Sequence, residues 1–84
     1  MAKLENRNNK LYIDGKRVIK GWESFSGWYW FATEKMSDDI YYGYVQGLEE
    51  EWGQWSMSEM KPLIAQNRVW EIKKQDLPHA GRRN

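Results

Sequence analysis

The chain has no cysteine, a single histidine and no long apolar run, and each shortage closes off a class of function. Without cysteine there are no disulfides, no thiolate nucleophile and no thiolate metal ligands, which fits a reducing compartment. With His79 alone, no metal-ligand spacing can be assembled. The seven glycines are scattered singly, so no phosphate-binding or dinucleotide-binding spacing occurs. No stretch approaches the about 20 apolar residues of a spanning helix. The opening Met1-Ala2-Lys3-Leu4-Glu5 also lacks the apolar centre of a signal peptide. The expectation is a cytoplasmic protein that is not an enzyme and has no cofactor, metal, membrane contact or small-molecule substrate.

What is present is aromatic and charged. Six Trp and five Tyr outweigh two Phe, and 40% of the residues are hydrophobic, which is enough apolar bulk to fold one core in 84 residues. One core cannot enclose that many large rings, so some are expected at the surface. The charges are segregated along the chain. Residues 1–20 carry six Lys and Arg against two Asp and Glu, residues 21–60 carry one against eight, and residues 61–84 again carry six against two. A polarised surface of this kind suits electrostatic steering of a partner.

The clearest local signal is Asp14-Gly15 between Leu11-Tyr12-Ile13 and Lys16-Arg17-Val18-Ile19, a two-residue hairpin with a type I′ turn. In that register Leu11, Ile13 and Val18 share the inward face. Gly21 and Ser24-Phe25-Ser26-Gly27 interrupt the pattern. Trp28 to Thr33 then reads as a strand apolar on both faces, hence central, with Ile40 to Val45 as its hairpin partner and Gly43 marking a bulge or close contact. Gly47 to Glu51 reads as an acidic loop and Trp52 to Trp55 as a short extended piece. Ser56-Met57-Ser58-Glu59 is a capping box, and Met57, Met60 and Ile64 fall on one helix face. Pro62 lies inside that helix, which predicts a kink or two short turns. Arg68 to Lys73 returns to strand. The fold expected is α+β, a small curled antiparallel sheet of about five strands with one short helix packed on it. Residues 1–9 are expected as a flexible lead-in, 10–76 as the domain and 77–84 as a flexible tail.

The run Trp28 to Glu34, then Tyr41-Tyr42-Gly43-Tyr44-Val45 to Glu51, then Gly53 to Met60, resembles a family of small bacterial, phage and plasmid proteins classed as a domain of unknown function, over about residues 28–77. The resemblance implies the same order of elements and a cytoplasmic, mobile-element setting. It carries no catalytic residues.

Candidate sites follow from composition. Glu34, Asp38, Asp39, Glu49, Glu50 and Glu51 could hold a cation or run acid–base chemistry if their loops met, although solvated acidic loops are the plainer reading. Tyr29, Phe31 and Trp70, flanked by Lys16, Arg17, Arg68 and Lys73, could stack unpaired bases. Trp52 and Trp55, contiguous with Glu49 to Glu51, form the preferred candidate: an aromatic and acidic surface for a protein partner or for self-association.

Overall fold

The computed structural model describes residues 2–83. It is an α+β fold of two antiparallel sheets with one helix. Strands β1 (Leu4–Arg7), β2 (Lys10–Ile13) and β3 (Lys16–Arg17) form the smaller sheet. Strands β4 (Lys20–Ser24), β5 (Tyr29–Lys35), β6 (Ile40–Gln46), β7 (Glu50–Ser56) and β8 (Val69–Glu71) form the larger, in the order β7-β6-β5-β4-β8. Helix α1 (Met57–Ala65) and a 3₁₀ turn (Leu77–His79) complete it.

The Asp14-Gly15 turn has both residues at positive φ (50° and 80°), as a type I′ turn requires, and pairs Ile13 with Lys16. Leu11, Ile13 and Val18 are buried together as the alternation predicts. The lead-in is not outside the core. Asn8 and Asn9 sit at φ 52° and 61° in a second two-residue turn, which folds Leu4–Arg7 back onto β2. Asn tolerates this region better than any other residue except glycine. Asp14 then fixes the start of the chain, its Oδ1 accepting from the Lys3 N–H (2.9 Å) and its own N–H donating to the Lys3 carbonyl (2.9 Å). Ala2 is buried in consequence.

One cluster lies between the two sheets: Leu11, Ile13 and Val18 from the small sheet and its edge, Phe31 and Tyr44 from the large, closed by Ile72 and Leu77. A second lies on the opposite face of the large sheet, where Trp22, Ala32, Tyr41, Trp55 and Val69 pack under Met60 of α1. Strand β5 is central and apolar on both faces because each face covers a different cluster. The doubled aromatic run of the sequence thus reports a sheet sandwiched between a second sheet and a helix.

Three further expectations are corrected. Residues Lys20–Ser24 are a strand despite Gly21, whose missing side chain leaves room for Leu77; a Cβ there would lie 2.6 Å from Leu77 Cδ1. Pro62 does not split α1 into two short turns: the helix runs unbroken over nine residues. Ser56 is its N-cap, with Oγ accepting from the Glu59 N–H (3.1 Å) and donating to the Glu59 carboxylate (3.0 Å). Asp39 adds a second cap, accepting from the Ser58 N–H (3.0 Å) and hydroxyl (2.9 Å). Two caps on a short helix offset the one backbone bond that Pro62 removes.

The segment after residue 76 is not a free tail over its described part. Leu77 and Pro78 are buried, and Gly81 (φ +90°) packs against Leu4 and Phe31. Gln46, buried in β6, holds Arg82 through both ends of its amide: Oε1 accepts from the Arg82 N–H (2.8 Å) and Nε2 donates to its carbonyl (3.0 Å).

Candidate functional site

The two acidic loops lie at opposite ends of the large sheet. Asp38 and Asp39 precede Ile40, which pairs with Ser56, whereas Glu50 pairs with Gln46 at the far end of β6. Seven residues of strand separate them by about 20 Å. Asp39 is committed to the helix cap, and among the described residues no cluster of three or more His, Asp or Glu could hold a metal ion. His79 is exposed at the end of the 3₁₀ turn. No helix is long and apolar enough to cross a membrane.

The preferred aromatic pair is divided by the pleat. Trp55 is buried (8% exposed) beside Trp22 and Tyr41, with its indole N–H unpaired among the described residues. Trp52 faces the other cluster, half-buried, stacked on Tyr42 and covered by the Lys16 ammonium 4.8 Å from its ring centre. Glu50 accepts a hydrogen bond from the Tyr44 hydroxyl, leaving Glu49 and Glu51 exposed. The base-stacking set is divided as well. Phe31 is fully buried, and Tyr29 is half-buried and stacked on it. Trp70 is 42% exposed, but its indole N–H donates to Glu23 (3.1 Å), placing a carboxylate at the ring. Lys16 serves Trp52, Arg17 lies with Lys10 and Lys74 around a pocket floored by Leu11 and Leu77, and Lys73 is simply exposed.

Burial and the Glu50 carboxylate together push the Tyr44 phenol up to about 12. The folded state therefore favours the neutral phenol. That contribution to stability is complete below the unfolded value near 10 and is lost as pH rises from there toward 12. A spectrophotometric titration at alkaline pH is expected to show a phenol ionising near pH 12, with stability declining above pH 10, and Tyr44→Phe is expected to remove that ionisation and flatten the pH dependence.

One exposed ring and two half-buried ones converge elsewhere. Between β4 and β5 the chain turns through Ser24-Phe25-Ser26-Gly27, and Phe25 stands 71% exposed on it. Four hydrogen bonds donated by backbone N–H groups fix the turn: Ser24 N–H to the Trp28 carbonyl (2.9 Å), Gly27 N–H to the Ser24 carbonyl (3.0 Å), Trp28 N–H to Ser24 Oγ (3.1 Å) and Phe25 N–H to the Arg68 carbonyl (3.0 Å). Gly27 supplies the positive φ (86°) that closes it. Trp28 and Trp30 lie side by side, ring centres 5.8 Å apart. With Leu63 of α1, Arg68 and Val69 they line an open cleft of about 180 Å³. Its walls are apolar and its one charged residue is Arg68.

Of the candidates drawn from sequence, only Arg68 reaches this cleft. Phe25, Trp28, Trp30 and Leu63 come from three separate elements, so their convergence is a property of the fold. One signal was local: Phe25, Trp28 and Trp30 fall within six residues, the first of them in a Ser-Phe-Ser-Gly turn. No family model matches the chain, and no curated protein or solved structure matches it.

Proposed function

We propose that the chain is a non-enzymatic binding module that docks a protein segment in the Phe25–Trp28–Trp30 cleft. The observation that carries this reading is Phe25, 71% exposed on a turn held by four hydrogen bonds at the mouth of an apolar cleft. Exposing a phenylalanine forgoes about 1.5–3 kcal/mol of burial, and holding it rigidly reduces the ordering cost of a partner's arrival. Tryptophan and arginine are among the residue types that dominate binding energies at protein interfaces, and phenylalanine is enriched in interface composition. The cleft has an arginine and no carboxylate in its lining, which fits an acidic segment carrying one apolar side chain.

Phe25→Ser tests this separately from folding. Because Phe25 is exposed, the unfolding midpoint is expected to change by no more than about 0.5 kcal/mol in stability. Affinity for an acidic peptide with a central leucine, followed by tryptophan fluorescence, is expected to fall at least about tenfold. Equal affinity in both proteins would remove the cleft as the docking site. Saturable binding of a single-stranded oligonucleotide, weakened steeply by salt, would favour a nucleic-acid partner instead.

A further inference from the structure

The β4–β5 turn that carries Phe25 and the β6–β7 loop lie at the same end of the large sheet. The row Glu23–Tyr29–Gln46–Glu50 crosses four strands just before those connections. The second loop, Gly47-Leu48-Glu49, presents Leu48, which at 93% is more exposed than Phe25. This loop is also held in place. The Gly47 N–H donates to the Glu49 carbonyl (3.0 Å), Arg82 Nη2 donates to the Gly47 carbonyl (2.7 Å), and the Trp28 indole lies on Gly47 so closely that a Cβ there would be 2.5 Å from the ring. Trp28 thus forms one wall of the cleft and the support of the adjoining loop. Leu48 does not enter the cleft of its own chain, since it remains exposed.

We infer that the occupant of the cleft is Leu48 of a second copy of this chain, and that the contact is made twice about a two-fold axis. This rests on the reading of the cleft as a docking site. The chain carries both halves of the match: an apolar knob followed by Glu49, and an apolar cleft rimmed by Arg68. Glu49 and Arg68 are both exposed, and neither makes an ion pair within the chain among the described residues. A two-fold contact requires knob and hole on one patch, so that each copy gives and receives. Their shared support on Trp28 meets that requirement, and the arrangement closes at two copies instead of continuing into a fibre.

The test is sedimentation equilibrium of the purified chain from about 10 µM to about 1 mM, a range suited to a small, transient contact. The mass is expected to rise from 10.1 kDa toward twice that value. Leu48→Ser, at a position with no packing to lose, is expected to stay monomeric throughout. Glu49→Arg alone and Arg68→Glu alone are each expected to weaken association at least about tenfold, and mixing the two variants in equal amounts to restore it, because each then faces an opposite charge on its partner. A dimer indifferent to Leu48→Ser would overturn the inference and point to another surface, such as the open edge of β7. A constant monomer whose Trp28 and Trp30 signals still respond to the acidic leucine peptide would overturn the self-association alone. A monomer indifferent to that peptide would overturn both this inference and the docking site it rests on.

Discussion

Gly43→Ala is expected to prevent folding, whereas Gly53→Ala, the substitution directly across the strand pair, is expected to be nearly silent. The two glycines face each other in the β6–β7 register. On its other side Gly43 pairs with Ala32, next to the bulge at which β5 gains a residue between Ala32 and Glu34. The bulge presses the β5 backbone onto β6, and a Cβ on Gly43 would lie 1.8 Å from the Phe31 carbonyl oxygen and 2.9 Å from Ala32 Cα. These are backbone atoms at the centre of the sheet and cannot swing away, so the two strands would have to part. The cost is set against a total stability of about 4–13 kcal/mol for a chain of this length, and a penalty above about 4 kcal/mol removes most of it. A Cβ on Gly53 meets nothing within 4 Å. Urea unfolding of the two variants checks the contrast. A cooperative transition for Gly43→Ala within about 1 kcal/mol of the parent would show that the bulge does not press β5 onto Gly43.

Gln46→Leu is expected to release the C-terminal segment and to cost about 2–4 kcal/mol. Leucine fills similar space but cannot replace the paired hydrogen bonds to the Arg82 N–H and carbonyl. Both backbone groups would then sit partly buried and unpaired, a penalty of about 1–3 kcal/mol each before relaxation. The consequence extends to the core, because Gly81 next to Arg82 packs on Leu4 and Phe31. Amide hydrogen exchange reads the effect directly. Protection at Arg82 is expected to vanish and protection at Leu4 and Phe31 to weaken; unchanged protection at Arg82 would mean that the burial of Leu77 and Pro78 holds the segment alone.

Much of the fold was legible because its signals are local. Asp14-Gly15 can form only one kind of turn, the aromatic strands announce themselves by composition, and Ser56 with Glu59 marks the helix start. What was not legible is held by partners distant in sequence. Leu4 is the one large apolar side chain of β1, too few for a period, and its strand exists because β2 offers it a ladder. The closing segment is held by an amide 36 residues away. Even so, Asn8-Asn9 was a turn signal of the same kind as Asp14-Gly15, and reading it would have found β1.

The site divides along the same line. Contiguity placed Trp52 and Trp55 with the acidic loop, but the pleat sends Trp52 and Trp55 to opposite faces of the sheet. Alternation alone would have shown that two tryptophans three residues apart on a strand cannot share a face. The expected division of charge into a basic and an acidic surface remains useful, since it is Glu49 on the acidic loop and Arg68 from the basic segment that adjoin the exposed apolar groups.

The most direct test of the docking site uses the six tryptophan side chains as reporters at once. Their indole N–H signals in a ¹⁵N spectrum distinguish the buried Trp22 and Trp55, the lysine-covered Trp52, the Glu23-bonded Trp70 and the cleft pair Trp28 and Trp30. On addition of the acidic leucine peptide, Trp28 and Trp30 are expected to shift in a saturable way while the other four stay still. Shifts confined to Trp52 or Trp70, with Trp28 and Trp30 unmoved, would contradict the assignment of the cleft.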